Sequence, residues 1–179
     1  MATPVYPPGV QVRGSVKLIA VPTIADPNAP KLATEVNAAS ALDISCMVGA
    51  AGWKPSLNQS KGNAPRRACS KAERQVLGFA MYELQDLLYS TNPQSATGGD
   101  GVKAQEKLVP GTTINIVERL GVDISTDLAV GQWVNIWPVT LGEQVEDYDL
   151  ADEFGEYLVR QTLVMAGSGV PFRRKQLVA

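Results

Sequence analysis

Tyr157-Leu158-Val159-Arg160-Gln161-Thr162-Leu163-Val164-Met165 is the stretch whose reading decides the fold. Every second residue gives Tyr157, Val159, Gln161, Leu163 and Met165, an apolar row broken by one glutamine. That two-residue period marks a strand with one face in a core. Val134 and Ile136 repeat it between Trp133, Asn135 and Trp137, and Ile114 and Ile116 repeat it against Asn115 and Arg119. Leu77, Phe79 and Met81 follow the same rule, then Tyr82, Leu84 and Leu88 after a phase shift. Val10, Val12, Val16, Leu18 and Ala20 open the chain with it, interrupted by Gly14. The expectation is a mainly β protein, antiparallel, of sandwich or barrel type.

Several strands also carry apolar side chains on the face that should be wet: Val117, Trp133, Trp137, Leu158 and Val164. A lone monomer struggles to hide them all, which suits a subunit covered by neighbours. A two-layer sandwich with ordinary surface hydrophobics accounts for them as well. Helix is scarce. Residues 30–37, opened by Pro30, and residues 102–108, stopped by Pro110-Gly111, are each expected to make about two turns. Residues 22–30, 52–66 and 92–101 read as irregular, and the middle one is long enough to protrude.

At 179 residues, one domain spanning 1–179 is expected, with an extended Pro-rich arm at 1–9, a long loop or hairpin region at 52–74 and a C-terminal strand or arm at 166–179. The formal net charge of −2 gives no general attraction to nucleic acid or to an anionic membrane. The N-terminus has no basic region followed by an apolar run, and no apolar window nears the roughly 20 residues of a membrane helix. A soluble protein made in a cytoplasm is expected. Cys46 and Cys69 then stay reduced, as buried or half-buried free thiols.

Catalytic chemistry finds little support. Histidine is absent, which removes the commonest general base and metal ligand and every Ser-His or Cys-His arrangement. Neither a metal nor a cofactor is expected, and the chain is read as a non-enzyme. Gly99-Asp100-Gly101-Val102-Lys103-Ala104 fits a dinucleotide-binding pattern, yet Pro110 leaves no room for the crossover helix that such a site needs. Glu143, Glu146, Asp147, Asp149, Asp152, Glu153 and Glu156 form an acidic run that reads as an exposed loop and lacks the glycine turn of a calcium site. Lys54, Lys61, Arg66, Arg67, Lys71 and Arg74 form a basic run, with Arg173, Arg174 and Lys175 as a second group. Trp53 is the one aromatic within 50–75, so the basic run lacks interleaved stacking residues. A solvated loop, ion pairing between subunits and a nucleic-acid contact all stay open.

Three segments in order carry a family likeness. Val21-Pro22-Thr23-Ile24-Ala25-Asp26-Pro27-Asn28-Ala29-Pro30 follows the first strand, Leu108-Val109-Pro110-Gly111-Thr112 opens a middle strand, and Val134 to Leu141 leads into Gly142. From about residue 10 onward the chain resembles the major tail tube proteins of long-tailed bacteriophages, of the type found in phages of actinobacteria. It departs from them in the basic stretch 53–74 and the acidic segment 143–156.

The resemblance implies a β-sandwich-like tail tube fold with one or two short flanking helices, extended termini and a long loop reaching the next ring. It implies hexameric rings stacked into a hollow tube within the virion, assembled in the host cytoplasm. Implied partners are other copies of the chain and the tape measure, tail terminator and baseplate or tip proteins, with DNA in transit and no membrane. On that basis Trp53, Lys61, Arg66 and Arg67 are expected against a neighbouring ring, and Arg173 and Arg174 against a neighbouring subunit. Glu143, Glu146, Asp147, Asp149, Asp152 and Glu153 are expected in the lumen or between rings. Other expectations left open are a head–tail connector, a capsid decoration subunit, or an unrelated ligand-binding β-barrel or hydrolase, the last two needing a deep polar pocket.

Overall fold

Alternation becomes strand wherever a buried row can form. In chain order the strands are β1 (Val16–Val21), β2 (Leu42–Asp43), β3 (Pro55–Asn63), β4 (Gln75–Leu84), β5 (Leu87–Ser90), β6 (Thr113–Leu120), β7 (Trp133–Asp147), β8 (Leu158–Met165) and β9 (Phe172–Gln176). A π-helical turn occupies Leu32–Val36 and one short α-helix, α1, occupies Lys103–Lys107. These come from a computed structural model, which describes residues 9, 11–49, 51–65, 67–69, 72, 74–151 and 155–179. The main sheet runs β2-β1-β6-β7-β8-β5, with β9 also paired to β7, and β3 and β4 form a separate two-stranded sheet. The pairs β1–β2, β1–β6, β3–β4, β5–β8, β7–β8 and β7–β9 are antiparallel. The protein is thus mainly β, as the alternation predicts. No helix among the described residues is long and apolar enough to cross a membrane.

The described residues fall into two compact units. The first draws on the chain up to Met47, Ile114–Trp137 and Phe172–Ala179. Its core gathers Ile19, Val21, Ile24, Val36, Val117, Leu128, Val134, Ile136 and Leu177. Each such side chain contributes about 1.5–3 kcal/mol on leaving water. Val36 is delivered by the π-helical turn, which Glu35 pins: its carboxylate accepts from the backbone N–H of Ala25 and of Lys31 at 2.9 and 2.8 Å.

Arg119, 1% exposed, fixes the β6–β7 connection of this unit. Its guanidinium donates to the carbonyls of Asp123 (2.7 Å), Thr126 (2.8 Å) and Asp127 (3.2 Å). Burial pulls the guanidinium pKa below its usual range, and Asp43, Asp123 and Asp127 oppose that shift. The group keeps its proton because its intrinsic pKa lies so high.

The second unit holds Val48–Thr113 and Pro138–Pro171. Leu87, Tyr89, Leu108, Val139, Leu141, Val159 and Leu163 are buried here. The row read from the sequence at 157–165 faces inward at Val159, Gln161 and Leu163. Val109-Pro110-Gly111-Thr112 turns the chain into β6, with Thr112 N–H donating to the Val109 carbonyl at 3.3 Å. Proline supplies the fixed φ of the second turn position, and Gly111, at φ 77°, supplies the left-handed third. Gly142 sits where β7 slips register against β8, and a Cβ there would stand 3.0 Å from the Thr162 carbonyl oxygen.

Several expectations are corrected. Residues 55–63 were expected as part of an irregular loop and are strand β3: beyond Leu57 the segment is polar on both faces, so no alternation marks it, and pairing with β4 sets its conformation. Glu143–Asp147 were expected in a loop and continue β7, paired to β8. The first strand begins at Val16, while Val12 is 75% exposed. Val117 and Trp137, assigned to the wet face, are 1% and 5% exposed, because both faces of these strands are covered. Cys46 and Cys69, expected buried or half-buried, are exposed in turns, where no core face exists to receive them.

Candidate assembly surfaces

The β3–β4 ribbon carries apolar side chains without a core of its own. Along β4, Leu77, Phe79 and Met81 are 67, 95 and 57% exposed, and the pairing with β3 slips register between Gln59 and Lys61. Their cross-strand neighbours are polar: Asn58 stands opposite Met81 and Lys61 opposite Leu77. Tyr82 stands opposite Leu57, which is 50% exposed. A two-stranded ribbon is marginal alone in water, and one bare on both faces gains little from burial. This one is joined to β5 through residues 85–86, and Gly52 at its other foot allows the chain to pass close to the Leu88 carbonyl.

The residues predicted for assembly divide over separate places. Trp53 is half-buried at the foot of the ribbon, Lys61 is exposed on β3 and Arg67 is exposed beyond its end. Arg66 lies outside the described residues. Nothing in the sequence marked Phe79 as exposed, because a strand face covered by another molecule has the same alternation as one covered by its own core.

Arg173 and Arg174 belong to the first unit, on β9, and line a groove of about 430 Å³ with Glu118, Leu120, Trp133 and Asn135. Arg174 has φ 52°, a left-handed conformation that is rare for a side chain of this size. Asn135 holds it there: its Oδ1 accepts the Arg174 backbone N–H at 2.9 Å, and its Nδ2 donates to Glu118 Oε2 at 2.9 Å. Trp137 Nε1 donates to the same Glu118 oxygen at 3.2 Å, so this 6%-exposed carboxylate is hydrogen-bonded by donors from within the fold. The consequence is a slip in the β7–β9 pairing between Val134 and Ile136, with the Arg174 guanidinium 5.2 Å from the Trp133 ring centroid. Neither the slip nor the strained residue leaves a sequence signal.

The acidic run belongs to the second unit. Glu143, Glu146 and Asp147 lie on the last residues of β7, where Asp147 pairs with Arg160 at 2.7 Å. Asp149 follows in a turn and its Oδ1 accepts the Ala151 N–H at 2.9 Å, which presents Leu150 at 89% exposure. Tyr148 and Tyr157 pack with ring centroids 5.6 Å apart. Asp152 and Glu153 lie outside the described residues.

The described residues include no group of three or more His, Cys, Asp or Glu side chains arranged to hold a metal ion. A family model described as phage tail tube protein matches residues 3–165. Comparison with curated proteins finds no match to the chain.

Proposed function

Because the chain belongs to the phage tail tube protein family, we propose that its copies close into hexameric rings, that the rings stack head to tail into a hollow tube, and that DNA passes through the bore into the host. Members of this family are structural components of the virion tail, which assemble with themselves and with other tail proteins, and the family is not one of enzymes. The observation that carries the reading is the ribbon whose Phe79 is 95% exposed: such a face is a cost to a monomer and a contact surface to a polymer.

In this reading the ribbon lies against a neighbouring ring, and Trp53, Lys61, Arg66 and Arg67 take part in that contact. Arg173 and Arg174 meet a neighbouring subunit. Glu143, Glu146, Asp147, Asp149, Asp152 and Glu153 face the lumen or the junction between rings. Carboxylates there keep DNA moving, since a bore that offers few cations gains little from releasing the counterions of the phosphates. Pairing the open edges of the sheet between copies removes a liability of the free subunit, and a head-to-tail contact propagates without closing. Tape measure, tail terminator and baseplate or tip proteins complete the assembly in the host cytoplasm. Electron microscopy of the purified protein tests the proposal: long hollow filaments with six-fold end views are expected, and isolated compact particles at high concentration contradict it.

A further inference from the structure

The groove beside Trp133 has an occupant written in the same chain. We infer that it receives the Leu150 turn of a second copy, with Glu146 and Asp149 of that copy meeting Arg173 and Arg174. The inference rests on the self-assembly proposed above and assigns one of its contacts.

Three observations converge. The groove is open, amphipathic and cationic: Trp133 and Leu120 are each 52% exposed within it, and Arg173 and Arg174 rim it. Its one carboxylate among the described lining residues, Glu118, is 6% exposed and accepts from Asn135 and Trp137, and the two arginines outnumber it. The groove is also held in place, because Asn135 maintains Arg174 in its left-handed conformation and the guanidinium rests over Trp133. Strain of this kind persists only where the surroundings impose it, and it accompanies clamps and contact sites.

The Leu150 turn has the opposite character. It offers one 89%-exposed leucine next to Asp149, whose side chain shapes the turn, with Glu146 exposed near the end of β7. Asp147 pairs with Arg160, and Glu146 and Asp149 are exposed carboxylates on the chain just before Leu150. An apolar knob flanked by two acids fits an apolar floor rimmed by two cations. The charges set partner and register, and the buried leucine and indole supply the affinity.

Two measurements test it. Arg173→Glu with Arg174→Glu, and separately Glu146→Lys with Asp149→Lys, should each lower filament yield roughly tenfold or more at low salt, and the chain carrying all four should recover it. Wild-type yield from either pair, or no recovery in the four-fold variant, overturns the inference. Independently, in a Cys46→Ser, Cys69→Ser background, Leu120→Cys with Leu150→Cys should give a ladder of disulfide-linked copies on oxidation. Filaments that form with no ladder sink this contact and leave the tube intact, whereas a ladder without filaments keeps the contact and removes the tube. A ladder from Leu120→Cys with Val5→Cys, and none with Leu150→Cys, gives the groove to the N-terminal arm and overturns the assignment.

Discussion

Gln144 on β7 and Gln161 on β8 donate to one acceptor, the carbonyl oxygen of Leu108, at 2.8 and 2.9 Å. Gln144 also reaches the Gln105 carbonyl and Gln161 the Gly142 carbonyl, both at 2.9 Å. The last carbonyls of a helix have no partner within it, and here two side chains of the sheet supply one to the end of α1. Removing either donor leaves the Leu108 oxygen satisfied by the other, and removing both leaves it orphaned. Gln144→Ala should therefore cost about 1 kcal/mol and Gln161→Ala about 2–3 kcal/mol. The double variant should lose more than the sum by about 1 kcal/mol in urea unfolding; strict additivity would show that the shared acceptor does not couple them.

Arg119 gives a second expectation. Its guanidinium ties the carbonyls of Asp123, Thr126 and Asp127 to β6, so Arg119→Met should destabilise by about 3 kcal/mol and open residues 121–132 to proteolysis before the rest of the chain. Arg119→Lys should recover little, since an ammonium cannot span the fork of acceptors that the planar group serves. Limited proteolysis with mapped cleavage sites reads both outcomes.

Tyr89 sets a pH dependence at the alkaline end. The side chain is fully buried, its hydroxyl has no hydrogen-bond partner among the described residues, and burial pushes its pKa up. Above the ordinary tyrosine value of about 10 the unfolded chain gives up this proton while the folded one retains it, so stability falls as pH rises. Unfolding midpoints should drop from about pH 10 upward, and Tyr89→Phe should remove part of that drop while leaving stability at neutral pH equal or higher. A Tyr89→Phe profile parallel to wild type through that range would contradict this.

What the sequence disclosed follows from what a period can encode. Alternation at 157–165 identified the inward row of β8 because each strand residue must choose a face, and Val159, Gln161 and Leu163 chose as read. The Pro110-Gly111 turn was legible because its backbone demands those residue types. Strand β3 was not, since its polar residues are wet on both faces and its conformation comes from its partner. The groove at Trp133 was half visible: the two arginines stood out as charges, but the left-handed Arg174 and the Asn135 that imposes it are matters of three-dimensional register. Gln161 drew attention as a polar residue in an apolar row, while its acceptor lies 53 residues away in the chain and leaves no local trace.

Phe79 offers the most direct trial of the central claim, that the bare ribbon of one copy is completed by another. At 95% exposure, Phe79→Asp should leave monomer unfolding within about 0.5 kcal/mol of wild type. Sedimentation velocity over a concentration series should then show wild-type chains growing into large polymers while the variant stays a folded monomer. Equal polymer growth by the variant, or a wild type that remains monomeric at the highest concentration, would contradict the account.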